Sequence, residues 1–237
     1  MSSTPLKRFW KTVAVQDYAD GYGVTLDGKA IRAPSKRLLL VESRPLAEAM
    51  AEEWRAIDGP FTAAALPMTQ LANTAFDRVI PDRATLHASL LGYVDTDVVC
   101  YRVNAPPALR ERQHERWEPL LAWASQRTGA TWLTTDSLMP LVQSEAVHAA
   151  MDYQLSVLSV SAFTAFQATA PLIGSLVAGL ALVAGRLTAD QAFAVGHVDE
   201  LWQSEHWGDD YEALDRRAGV LADLRSAEKY LALTITV

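Results

Sequence analysis

The segment Asp199-Glu200-Leu201-Trp202-Gln203-Ser204-Glu205-His206-Trp207-Gly208 holds the residues best suited to contacting another molecule. On a helix, Glu200, Gln203 and Trp207 fall at i, i+3 and i+7, so a carboxylate, an amide and an indole share one stripe. A stripe that only fills a core is apolar throughout. Tryptophan buries much area at little rotamer cost and is favoured where proteins grip one another, and a flanking acid adds orientation. The competing reading is structural: Trp202 and Trp207 pin this helix onto the core while the acids face water.

Signatures of catalysis are missing. The chain has no G-x-S-x-G elbow, Walker loop, G-x-G-x-x-G or H-E-x-x-H. Gly21-Tyr22-Gly23 lies between strand-like runs, without the helix that would receive a phosphate. The histidines His87, His114, His148, His197 and His206 are scattered, and His197 with Glu200 at i, i+3 is too little for a metal site. No metal or cofactor is therefore expected, and no catalytic residue is assigned. Cys100 sits in the apolar run Val98-Val99-Cys100-Tyr101, the setting of a buried, inert thiol. Glu52 and Glu53 would point about 100° apart on a helix and cannot address one atom. Asp95 and Asp97 belong to a turn. An enzyme of unknown class would have to draw on Asp199 and Glu200, with His197 nearby.

The elements that position these residues change character along the chain. Phe9–Val15, Tyr22–Leu26 and Leu38–Val41 read as short strands, and Asp27-Gly28 supplies the positive φ of a tight hairpin. After Arg44 the period becomes helical: Pro45 suits a first turn, and Leu46, Met50, Trp54 and Ile57 share a face. Asp58-Gly59-Pro60 ends that helix. Thr69–Val79 and Arg83–Tyr93 are further helices, Val98–Arg102 is a short β-prone run, and Ala130–Thr135 is one more strand. Leu109–Gln126 is helical with Trp117, Leu120, Leu121 and Ala124 on one side, and Pro119 must kink it or start a new segment. Everything after Ser144 reads as helix, closing with Thr188–Trp207 and Asp209–Leu231. Thr188 and Gln191 form a capping-box signature. The expected class is α+β, with a small antiparallel sheet and helix over 1–62 and a larger, mostly helical domain over 63–237.

With 237 residues, half of them hydrophobic and one cysteine, the chain can bury a large core and forms no intramolecular disulfide. A formal charge of −7 argues against nucleic acid and anionic membrane as partners, since both need clustered positive charge. Tyr153 to Gly185 contains no charged residue, long enough to suggest a membrane span. Its Ser, Thr and Gln residues, with Pro171 and Gly174 inside, favour buried helices of a soluble core instead. The opening MSSTPLKRFWKTVAV shows neither a secretory signal nor a transit-peptide pattern, so a cytoplasmic location is expected.

Several blocks together resemble the ATP-twelve family of assembly chaperones for the alpha subunit of the F-type ATP synthase. In order they are Arg8-Phe9-Trp10-Lys11; Leu26-Asp27-Gly28-Lys29; Glu53-Trp54; Pro67-Met68-Thr69 with Leu71-Ala72-Asn73-Thr74; Thr96-Asp97 with Cys100-Tyr101-Arg102; Trp117-Glu118-Pro119 with Trp123-Ala124; Ser175-Leu176-Val177; and Glu200 with Gln203 and Trp207-Gly208. The resemblance implies a two-domain, non-enzymatic protein that binds the new alpha subunit and shields its later subunit interface; a monomer is expected. It implies client contact for Glu200, Gln203 and Trp207, with Asp199 in the same segment. It implies structural roles for Glu53, Gly208 and Trp54, the last holding the two parts together. Relatives often carry a basic residue just before Ser175, where this chain has Gly174.

Overall fold

The computed structural model describes residues 6–137 and 139–234. The chain gathers into two compact units, one running to Arg83 and resuming at Lys229, the other spanning Ala84–Glu228.

In the first unit, β1 (Val13–Tyr18), β2 (Gly21–Leu26) and β3 (Lys29–Ala30) form an antiparallel sheet in sequence order, with Val13 opposite Leu26 and Tyr18 opposite Gly21. The β2–β3 turn places Asp27 at φ 50° and Gly28 at φ 77°, the left-handed pair that the Asp-Gly dipeptide predicts. Asp27 also ties down the chain before β1, accepting from the Lys11 and Thr12 amides and the Thr12 hydroxyl. The expected first strand therefore starts later, at Val13, while Trp10 turns into the core. Leu38–Val41 makes isolated bridges only, Arg32 to Leu38 and Tyr22 to Val41.

Helix α1 (Arg44–Ala56) begins at Ser43, whose Oγ accepts from the Leu46 amide. Its buried face, Leu46, Ala47, Met50 and Ala51, packs on β1 and β2. Next come α2 (Pro67–Thr74), a π-helical turn at Ala75–Val79 and α3 (Ile80–Leu91). Met68 and Ala72 of α2 join Val24, Leu26, Leu39 and Met50 in one apolar cluster. That packing carries the unit past the Asp58-Gly59-Pro60 break, so it extends beyond residue 62.

In the second unit, 3-10 turns at Val94–Thr96 and Val98–Cys100 lead to α4 (Pro107–Thr128). The β-prone Val98–Arg102 coils because the Asp97 carboxylate accepts from the Val99 amide and caps the turn. Only Tyr101 bridges, to Thr135, and Ala130–Thr135 forms no strand beyond that. Helix α4 continues through Pro119 with Trp117, Leu120, Leu121 and Ala124 buried, so of the two expected outcomes a new segment does not start there.

The uncharged stretch folds as the end of α5 (Glu145–Ser156), then α6 (Val160–Ile173) and α7 (Leu176–Val183), which pack against each other. Gly174 sits at φ 75° where α6 ends, a conformation that a basic side chain adopts rarely. No helix among the described residues is long and apolar enough to cross a membrane. Helix α8 (Ala189–Gly196) opens on the expected Thr188–Gln191 capping box. The chain then breaks at His197, so the segment read as one helix is two, with α9 covering Val198–Trp207. Helix α10 (Tyr211–Thr234) supplies Tyr230 and Leu233 to the first unit's core.

Candidate functional site

Glu200, Gln203 and Trp207 of α9 do line one open cavity, of about 580 Å³, whose other wall is the start of α10. Gly208 turns the chain between the two helices at φ 81°, its amide donating to the Ser204 carbonyl. Asp210 then caps α10 by accepting from the Ala213 amide. Across the cavity, Arg216 Nη2 donates to Glu200 Oε1 at 2.5 Å, and Arg217 Nη1 lies 3.9 Å from the same oxygen. Arg217 is buried and paired with Asp209. The Ser204 hydroxyl and then Arg217 hold the Asp209 carboxyl below the usual carboxylate range.

Trp207, the one aromatic side chain in the lining, is 78% exposed. Tyr211, 87% exposed, and Leu214 also stand in solvent on the first turn of α10. Trp207 therefore pins nothing, whereas Trp202 does: it is half-buried, stacks on His206 at 4.1 Å, and carries the Arg112 guanidinium 5.0 Å above its ring. Arg112 also grips Glu205 with two hydrogen bonds, of 2.8 and 2.7 Å, which lower that acid's pKa. One side of α9 is thus clamped to α4, and the other faces the cavity.

Asp199 lies outside the cavity. Its Oδ1 accepts from Gln113 Nε2 at 2.7 Å, and Gln113, fully buried, uses Oε1 to accept from the Val103 amide. Asp199 and Glu200 hence address different partners and share no centre. His197 is stacked on Phe193 with Nδ1 3.0 Å from that residue's carbonyl oxygen. Among the described residues no group of three His, Cys, Asp or Glu side chains is placed to hold a metal ion. Cys100 is buried, and burial pushes its thiol pKa up.

Glu53 and Trp54 converge on Thr69 in the first unit. The Glu53 carboxylate accepts from the Met68 and Thr69 amides at 2.5 and 3.0 Å and from the Thr69 hydroxyl at 3.0 Å, closing the start of α2. Burial raises its pKa despite these donors. Trp54 Nε1 lies 3.2 Å from Thr69 Oγ1, and its ring meets Trp10 and Phe61 edge-on.

Arg216, Arg217 and Tyr211 were not singled out from the sequence. All three lie on the next helix, and the turn at Gly208 brings Arg216 and Arg217 opposite Glu200 of α9. The adjacent Arg216-Arg217 pair, following an acidic segment, was the available signal.

Residues 7–125 match the family described as ATP12 chaperone protein. Over 228 residues the chain is 26% identical to the mitochondrial protein atp12 of Schizosaccharomyces pombe, covering 87% of this chain and 77% of the yeast one. The crystal structure of Atp12 from Paracoccus denitrificans superposes with a TM-score of 0.90 at 36% identity, covering 97% of this chain and 98% of that one. A candidate chaperone from Agrobacterium tumefaciens gives the same TM-score and identity, covering 97% of this chain and 86% of its own. The family match takes in the sheet, α1 to α3 and most of α4, and the structural likeness extends through α9 and α10: the chain belongs to the ATP12 chaperone family.

Proposed function

We propose that the protein binds the newly made alpha subunit of the F-type ATP synthase and covers the surface that later meets another subunit, as a monomer in the cytoplasm and without catalysis. An unpartnered subunit exposes a large apolar interface and aggregates unless it is shielded. Membership in a chaperone family supports the class of activity. The observation that carries the choice of surface is Trp207, 78% exposed beside the Glu200–Arg216 ion pair.

On this reading the Trp207 and Tyr211 rings supply apolar area to the client, and Gln203 and Glu200 orient it. Asp199 acts indirectly, by holding α9 against Gln113. A tryptophan seated at the centre of an interface contributes about 2 kcal/mol or more, so its truncation weakens binding about 30-fold.

Capture of the free alpha subunit by immobilised wild type, Glu200→Lys and Trp207→Ala proteins tests this, with circular dichroism melts as the control for folding. Wild type should enrich the alpha subunit and both folded variants should lose most of it. No enrichment by wild type would refute the proposal. Full capture by both variants would move the client to another face.

A further inference from the structure

A cavity of about 800 Å³ opens in the Ala84–Glu228 unit and shares no lining residue with the one beside α9. Its frame is a short ladder. The Arg102 amide donates to the Thr135 carbonyl at 2.7 Å, the Thr135 amide to the Cys100 carbonyl at 2.9 Å, and Asn104 Nδ2 to the Asp136 carbonyl at 3.1 Å. Gln113 secures the next residue through the Val103 amide, and Asp199 secures Gln113. The Arg102 side chain, 13% exposed, is held in place with its guanidinium 4.9 Å over the Trp117 ring.

Arg102 is well positioned and poorly satisfied. Nη1 and Nη2 are both shut off from solvent, and neither has a hydrogen-bond partner among the described residues. The nearest acid, Glu118, leaves Oε2 3.6 Å from Nη2, too far for a hydrogen bond, and its own side chain is 55% exposed. Arginine does not lose its proton in proteins, so a desolvated charge sits with up to four N–H groups unused. Such a group costs free energy until an acceptor reaches it. The shape it presents, a planar fork, is the complement of a carboxylate.

The walls narrow the choice of ligand. Arg102, Arg110 and His114 share the lining with Glu111, Glu118 and Asp136, so the acids outnumber the arginines. That balance disfavours a phosphate dianion. A single carboxylate that takes the place of the Glu118 carboxylate beside Arg102 adds only one negative charge.

We propose that this cavity is a carboxylate-binding site in which the incoming group displaces Glu118 and makes a two-point hydrogen bond to Arg102. Glu118, exposed and at 3.6 Å, is a placeholder that swings out. A free small acid and an acidic side chain of a polypeptide offer the same chemistry. The site does not depend on the alpha-subunit reading.

The test is a titration of the full chain, with ¹⁵N-labelled arginine side chains followed by NMR and the Arg102 signal assigned from Arg102→Lys. The probes are sodium acetate, the blocked peptide acetyl-Gly-Glu-Gly-amide and its Gln counterpart. The Arg102 signal should shift saturably with the Glu peptide and not with the Gln peptide. Glu118→Gln should tighten the interaction up to about fivefold, the upper range for a part-exposed ion pair. A response to acetate as well means that a free acid suffices, whereas a response to the peptide alone assigns the site to a polypeptide side chain. No saturable shift in either wild type or Glu118→Gln overturns the site. Unchanged or weaker binding in Glu118→Gln overturns the displacement. A purely structural Arg102 would show neither the shift nor the tightening.

Discussion

Asp97 sets up a stability change with pH that has a definite sign. The residue is 1% exposed, with Oδ1 accepting from the Val99 amide at 3.2 Å and Oδ2 from the Val177 amide at 3.0 Å. The Ser175 hydroxyl and the Leu176 amide add further donors, so this carboxyl joins the Val98–Cys100 turn to the start of α7. Burial outweighs all of them and raises the pKa from 3.8 to about 6. Between these values the folded protein keeps a proton that the unfolded chain has released. Stability from this group is therefore complete below about pH 4 and is lost as pH rises through about 6. The gap corresponds to about 3 kcal/mol at roughly 1.4 kcal/mol per pH unit. Asp97→Asn has no proton to release. It bears instead a fixed cost of about 1–3 kcal/mol, because its amide hydrogens face backbone N–H groups. The advantage of wild type over the variant should shrink by about 2.5 kcal/mol between pH 4 and pH 7. Urea titrations followed by circular dichroism at several pH values, with m-values compared, measure it. A difference that stays constant or widens with pH would refute the reasoning, since it would mean that the surrounding donors keep the carboxylate ionised in the folded state.

Two further substitutions probe packing. Trp54→Arg should destabilise by about 3 kcal/mol or more, because a charge replaces a ring lodged among Trp10, Phe61 and Thr69; an unchanged melting temperature would contradict that lodging. Gly196→Ala would set a Cβ 2.2 Å from the Ile173 carbonyl oxygen, where only backbone movement relieves the clash, for a loss of about 1–3 kcal/mol. Gly219→Ala meets nothing within 4 Å inside α10 and should instead stabilise by up to about 1 kcal/mol, so opposite signs in denaturation midpoints are expected.

Local chemistry was legible where neighbouring residues settle it. Leu26-Asp27-Gly28-Lys29 specifies its hairpin through two left-handed residues, and Thr188 with Gln191 starts α8, as expected from dipeptide and spacing alone. The stripe of Glu200, Gln203 and Trp207 followed from helical period in the same way. Partners distant in sequence were not legible. Val98–Arg102 has β-prone residues, yet its shape depends on Asp97, which α7 in turn holds from some eighty positions away. Arg216 opposite Glu200, Gln113 beneath Asp199 and the unsatisfied Arg102 all require tertiary contacts that no periodicity encodes. The break at His197 escaped because both flanking segments keep a helical pattern.

Tyr230, on the last turns of α10, is 2% exposed within the cluster built by the sheet and α1. Leu233 packs there too, and its carbonyl accepts from the Ser43 hydroxyl at the cap of α1. During translation the sheet and α1 leave the ribosome early, while these closing residues are made almost at the finish. At roughly 5–20 residues per second, the nascent first unit spends on the order of ten seconds with its core open. A member of a chaperone family must itself pass through such an interval, and a ribosome stalled before residue 230 would carry a first unit whose core lacks the Tyr230 ring.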